Sequence, residues 1–134
     1  MRVVVVGAGS VGRSIASELV ETGREVTLID KNPAARTAQV PGAQWILADA
    51  CEQATLTAAH VEEADVVVAA TGDDKVNLVV SLLARTEYAV PRTVARVNNP
   101  KNEWMFDEAW GVDVAVSTPR IMTAMVEEAV VVGD

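Results

Sequence analysis

One cysteine, one histidine and one tyrosine occur in this 134-residue chain, and each scarcity closes off a class of chemistry. A lone Cys51 forms no internal disulfide and fits a reducing compartment. It has no histidine near it in sequence and no second cysteine, so neither a nucleophile nor a metal site is expected on it. His60 precedes Val61-Glu62-Glu63 in a helix-to-strand connection and reads as a surface residue. Tyr88 is followed four positions on by Arg92, not by the lysine of a Tyr-x-x-x-Lys dehydrogenase pair. No catalytic and no metal-ligating residue is expected. Basic residues are also scarce, 11 against 19 acidic ones, and the net charge of −8 argues against a nucleic-acid surface and against direct binding to anionic lipid. No apolar run approaches the ~20 residues that span a bilayer, so direct membrane insertion is not expected. Met1 leads straight into a strand, without a signal peptide. The expectation is a cytoplasmic protein whose link to a membrane runs through a partner.

What the chain does have is valine and alanine, which make up much of a hydrophobic half with only 4% aromatics. That composition suits a sheet interior covered by small-residue helices. Val3-Val4-Val5-Val6 is a strand-forming run with no polar face, as a central parallel strand buried on both sides requires. Gly7, Gly9 and Gly12 follow as G-x-G-x-x-G. The next stretch carries Ile15, Ala16, Leu19 and Val20 at helical spacing. Gly7 would make the tight turn, Gly9 would admit a pyrophosphate close to the backbone, and Gly12 would let helix and strand approach. The helix start supplies free N–H groups and a favourable dipole for an anion. Glu25 to Asp30 reads as a second strand that ends in an acid 18 residues after Gly12. That is where a carboxylate for the adenosine ribose belongs. Asp30 would repel a 2′-phosphate and so favour NAD over NADP, while Lys31 beside it works against that discrimination.

The alternation continues. A short helix is expected from Pro33 to about Val40, a strand at 44–48, a helix from Gln53 to Ala59 and a strand at 65–70. A long helix from Asp74 to Thr86, a strand at 93–97, a helix at 101–109, a strand at 112–116 and a last helix from Pro119 to Val131 complete it. Six strand–helix units predict an α/β, Rossmann-like doubly wound parallel sheet of order 3-2-1-4-5-6 with helices on both faces. Ligands of such sheets bind beyond the carboxyl ends of the strands. There stand Gly7 to Gly12, Asp30, Asp49-Ala50-Cys51, Thr71-Gly72-Asp73 and Arg96 to Asn98. Asp49 accepts from an adenine amino group, braces its loop, or caps a helix. Asp73 and Asp74 are both candidate caps for the long helix, and Asn77 on its first turn is expected to face the cleft. Arg96 either contacts a phosphate, pairs with an acid across a subunit interface, or makes a surface ion pair.

These blocks resemble the TrkA-N or RCK domain, the nucleotide-binding regulator of bacterial potassium uptake systems. The resemblance rests on Val5 to Gly12, Val26 to Asp30, Ala48-Asp49-Ala50, Ala70 to Asn77, Val94 to Pro100 and Gly111-Val112-Asp113. It covers nearly the whole chain. The Thr-Gly-Asp-Asp-x-x-Asn and Ala-Arg-x-x-Asn-Pro blocks are more specific than the glycine motif. The resemblance implies a non-catalytic cytoplasmic regulatory subunit that binds NAD(H), and in some relatives ATP or ADP. It also implies assembly through dimers into a ring on a membrane-embedded potassium transporter subunit. Its ligand residues map to Gly7, Gly9, Ser10, Val11, Asp30, Lys31, Asp49, Ala50, Thr71, Gly72 and Arg96. Gly12, Cys51, Asp73 and Asn77 join them as candidates from the strand-end reading.

The expected division is a nucleotide-binding domain over 1–118 and a terminal crossover or interface helix over 119–134. Family members usually continue into a C-terminal regulatory lobe, and none is expected in this chain. In the last helix Ile121, Met122, Met125, Val126, Ala129, Val130 and Val132 spread over more than one face. Either the helix packs on its own sheet or it meets another subunit, and the family's helix at this position crosses to a neighbour. The rival reading is an NAD-dependent oxidoreductase fragment without its substrate domain. A third is a bare nucleotide-binding oligomerisation module.

Overall fold

Val3, Val4, Val5 and Val6 are each at most 3% exposed, and the rest of the fold is arranged around them. They form β1 (Arg2–Val6), at the centre of an all-parallel sheet in the order β3-β2-β1-β4-β5-β6. The computed structural model describes residues 1–37 and 40–133. The other strands are β2 (Glu25–Asp30), β3 (Gln44–Leu47), β4 (Val66–Ala69), β5 (Arg92–Val97) and β6 (Val114–Ser117). Val5 lies in register with Leu28 on one side and Val68 on the other. The expected topology is the one observed.

Successive side chains of a strand point to opposite faces, so β1 feeds two cores. Val3 and Val5 join Ala16, Val26 and Leu28 under α1 (Ser10–Glu21). Val4 and Val6 join Ile29, Leu56, Val67, Leu78 and Val80 under α2 (Gln53–Ala58) and α3 (Asp74–Thr86). β6 is held at the sheet edge by Asp113, which accepts from the Thr93 amide at 2.8 Å and from the Arg85 guanidinium. Burial works to raise that carboxyl, but the bonds from Arg85 and Thr93 outweigh it and hold the group below its ordinary range.

Three expectations are corrected. The segment expected as a helix over 33–40 is a 3₁₀ turn over Pro33–Thr37, and residues 38–39 lie outside the described residues. The helix expected at 101–109 is two 3₁₀ turns, Pro100–Met105 and Glu108–Trp110. Phe106 leaves helical geometry at ψ 72°, and Asp107 restarts the chain by capping the Ala109 amide, so one continuous helix cannot form. The sixth strand begins at Val114, because Gly111 turns in left-handed geometry (φ 73°) before it.

The last helix, α4 (Thr118–Gly133), follows β6 directly. Every residue from Met122 to Val130 is exposed, the two methionines by 56% and 60%. None of the side chains from 122 to 130 is covered by the sheet.

Candidate functional site

A cavity of about 280 Å³ opens beyond the carboxyl ends of β1, β2, β3 and β4, beside the point where the winding of the sheet reverses. Its floor is apolar: Val6, Ile29, Ala48 and Val76. Its polar rim carries Asp30, Lys31, Asp49, Thr71, Gly72 and Asp73, with Gly7 and Ala50 between them.

The glycine turn is built by close approach. Gly7 sits at φ 103°, and a Cβ there would lie 2.8 Å from the Thr71 nitrogen. Only glycine satisfies both demands. Gly12 is buried in the first turn of α1, where a Cβ would come within 1.7 Å of the Gly7 carbonyl oxygen. Gly9 has open space around its Cα and is the N-cap of α1, with no side chain bonding to the helix start. The first turn of α1, from Ser10 through Val11 to Gly12, carries no acid. A helix start without a side-chain cap offers its N–H groups to an anion.

Asp30 does more than close the second strand. Its Oδ2 accepts from the Ala8 amide at 2.7 Å and its Oδ1 from the Asn32 amide at 2.8 Å. The carboxylate therefore ties the glycine turn to the end of β2 while lining the cavity, and it keeps acceptor capacity beyond these two bonds. Asp49 is not a helix cap. Its Oδ1 accepts from the Cys51 amide at 2.9 Å, and the N-cap position of α2 belongs to Glu52. Asp73 both lines the cavity and caps α3, accepting from Lys75 at 2.9 Å and Val76 at 3.4 Å. Three carboxylates and one lysine line the cavity, so its rim suits hydroxyl and amino groups, while phosphates are better placed at the start of α1.

Besides Gly9 and Gly12, five expected residues lie off the cavity wall. Asn77 does not face the cleft: it is fully buried, and its amide bonds Thr71 and the Arg96 carbonyl oxygen. Arg96 is half-buried and meets this network through its backbone. Cys51 is half-buried beside the cavity, where burial and Asp49 push its thiol upward. Ser10 and Val11 are exposed at the start of α1 rather than in the cavity. The sequence reading missed the apolar floor, because strand-end valine, isoleucine and alanine are indistinguishable from core. It also missed the partners of Asp74, which accepts from Asn98, Asn99 and Asn102. The repeated asparagines after β5 were the available signal.

The model of the TrkA-N domain family matches residues 3–118. A Trk system potassium uptake protein TrkA from Mycobacterium tuberculosis is 63% identical over 135 residues, covering 100% of this chain and 61% of the relative. A homologue of that protein from Methanothermobacter thermautotrophicus is 37% identical over 97% of this chain and 60% of its own length. The chain thus spans about three-fifths of these relatives. Among solved structures, the GsuK RCK domain superposes with a TM-score of 0.80 at 25% identity, over 96% of this chain and 27% of that one. GsuK has also been solved bound to NAD (TM-score 0.79, 24% identity, 96% and 23% coverage) and bound to ADP (0.80, 24%, 96% and 33%).

Proposed function

The chain belongs to the TrkA-N domain family, and from that premise we propose that it is a non-catalytic, nucleotide-binding regulatory unit of a potassium uptake system. The observation that carries the reading is the Asp30 carboxylate, bonded to the Ala8 amide of the glycine turn at the rim of the cavity. It brings a ribose acceptor and a phosphate-binding helix start into one unit. About 280 Å³ accommodates a base and its sugar, near the lower end of small-ligand pockets. The rest of a larger nucleotide would run along the open side of Gly9 to the start of α1. NAD(H) is the ligand this favours, with ADP or ATP sharing the adenosine half. The bound state of NAD in one structural relative and of ADP in another crystal of the same protein supports this. The unit would work as a homodimer or larger ring joined through α4. Its place would be the cytoplasmic side of a membrane-embedded potassium transporter, with ligand-dependent changes in the assembly acting on transport. No helix among the described residues is long and apolar enough to cross a membrane, in keeping with contact through a partner.

Calorimetric titration tests the ligand class. NADH and ADP should bind more tightly than NADPH, because the 2′-phosphate would meet Asp30. Asp30→Ala should weaken NADH binding by about 1–3 kcal/mol, since ribose bonds and the tether to Ala8 are lost together. Equal or tighter binding of NADPH would refute the assignment of Asp30. A second expectation concerns turnover. Incubated with NADH and a panel of carbonyl compounds, the protein should show no sustained oxidation by absorbance at the reduced-nicotinamide band. Steady turnover that disappears on mutating one cavity residue would replace the regulator with an enzyme.

A further inference from the structure

Thr71 lies in the cavity wall, and none of its backbone polar groups is left to the ligand. Its amide donates to Asn77 Oδ1 at 3.0 Å, and its carbonyl oxygen accepts from Asn77 Nδ2 at 3.1 Å and Asn98 Nδ2 at 2.9 Å. Asn98 is in turn held by Asp74, whose Oδ1 accepts from the Asn98 amide at 2.7 Å and from Asn98 Nδ2 at 3.1 Å. The other oxygen of Asp74 accepts from the Asn99 amide at 3.0 Å and from Asn102 Nδ2 at 2.8 Å. Asp74 is 9% exposed and lies one residue past the α3 cap, in the helix's first turn. Its carboxylate faces the β5 loop rather than the cavity, whose lining stops at Asp73 and resumes at Val76.

We propose that Asp74 is a positioning residue of the nucleotide site, acting through Asn98 on Thr71. The inference rests on the nucleotide-binding reading and adds a residue to it that need not touch the ligand. The physical reason is that four N–H donors converge on one carboxylate. Removing the charge leaves them facing a group that cannot satisfy them all, and the β5 loop must move to find other acceptors. Thr71 moves with Asn98. Because the Thr71 backbone packs against Gly7 with no room for a Cβ, its displacement also disturbs the glycine turn. One carboxylate on the far side of the β4–α3 loop thus sets both walls of the cavity. The same donors hold the Asp74 carboxyl below its ordinary range, although burial alone would raise it.

The test uses the full chain, with ADP and NADH as titrants, and four proteins: wild type, Asp74→Asn, Asn98→Ala and the double variant. Asp74→Asn keeps the shape but turns one acceptor into a donor. It should raise Kd about tenfold in protein that is folded by circular dichroism, and it should speed hydrogen exchange at the Thr71 amide. The two single effects should not add, because Asn98 carries what Asp74 does. A merely structural role would lower Tm and leave the Kd of the folded protein unchanged. Unchanged Kd in the single variants, or strictly additive effects, overturns the proposal. If Asp74→Asn does not fold, Asn102→Ala decides, since it removes only one of the four donors. A Kd raised about threefold there supports the role, and an unchanged one refutes it. Wild-type protein that binds neither ADP nor NADH overturns the function reading and this inference together. Wild-type binding with unaffected variants overturns the inference alone.

Discussion

The double variant Met122→Glu, Met125→Glu is expected to run as a folded monomer, and the unaltered chain as a dimer or larger. The size of the effect follows from burial. Met122, Met125, Val126 and Val130 are 56–60% exposed on a helix that lays none of them on its own sheet. Burying one such side chain stabilises association by roughly 1.5–3 kcal/mol. In a two-fold symmetric pair each residue counts twice. Two methionines therefore represent about 6 kcal/mol at the low end, which is about four decades in Kd. Four glutamates brought together across the interface add repulsion. Light scattering on both proteins reads the change, and circular dichroism reads the fold. An unaltered chain that runs as a monodisperse monomer at high concentration would refute the interface. So would a double variant that unfolds, because that requires a helix buried in its own subunit.

Gly12→Ala will cost the fold more than any other single-methyl addition in the glycine turn. The new Cβ would lie 1.7 Å from the Gly7 carbonyl oxygen and 2.8 Å from its carbonyl carbon. Both are backbone atoms, fixed by the bond from the Gly7 amide to the Ile29 carbonyl oxygen at 2.8 Å. No rotamer change relieves such a contact. Either α1 lifts from the sheet or the turn opens, and overpacking of this kind costs about 3 kcal/mol or more. In a chain of this size that lowers Tm by roughly 10 °C. Gly9→Ala is the control, since nothing lies within 4 Å of its would-be Cβ. That variant should melt as the wild type does, yet bind ADP less tightly, because the methyl fills space beside the anion site. Thermal melts and titrations of both variants check the pair. A Gly12→Ala protein that melts within about 2 °C of wild type would show that α1 does not pack as described.

Legibility varied with the range of the interaction. The order of elements could be read because valine runs, glycine caps and proline breaks act within a few residues of themselves. The glycine turn was legible for the same reason, down to the separate demands on Gly7 and Gly12. The segment after β5 was misread as one helix because its composition tolerates helix, and the decision lay in the Asp107 side chain bonding the Ala109 amide. Asn77 was read as facing the cleft from its place on the first turn of α3. It faces inward because the ends of β4 and β5 lie beside it and offer Thr71 and Arg96 as partners.

By itself the sequence determined that this protein is a doubly wound α/β domain with a tight glycine turn after its central strand. Period-2 and period-3.6 patterning, glycine conformation and strand-end acids are local properties, and each residue carries them wherever the chain goes. Only the tertiary structure decided which acids line the cavity and which turn to the scaffold alone. Asp30, Asp49, Asp73 and Asp74 all stand at strand ends or helix starts and look alike as text. Asp30 turns to Ala8, 22 residues back, and Asp74 to Asn98, 24 residues ahead. Those partners are chosen by which strands are neighbours in the sheet. A buried carboxylate takes whatever N–H donors the packing brings within reach, because leaving either side unpaired away from water costs more than most side-chain preferences.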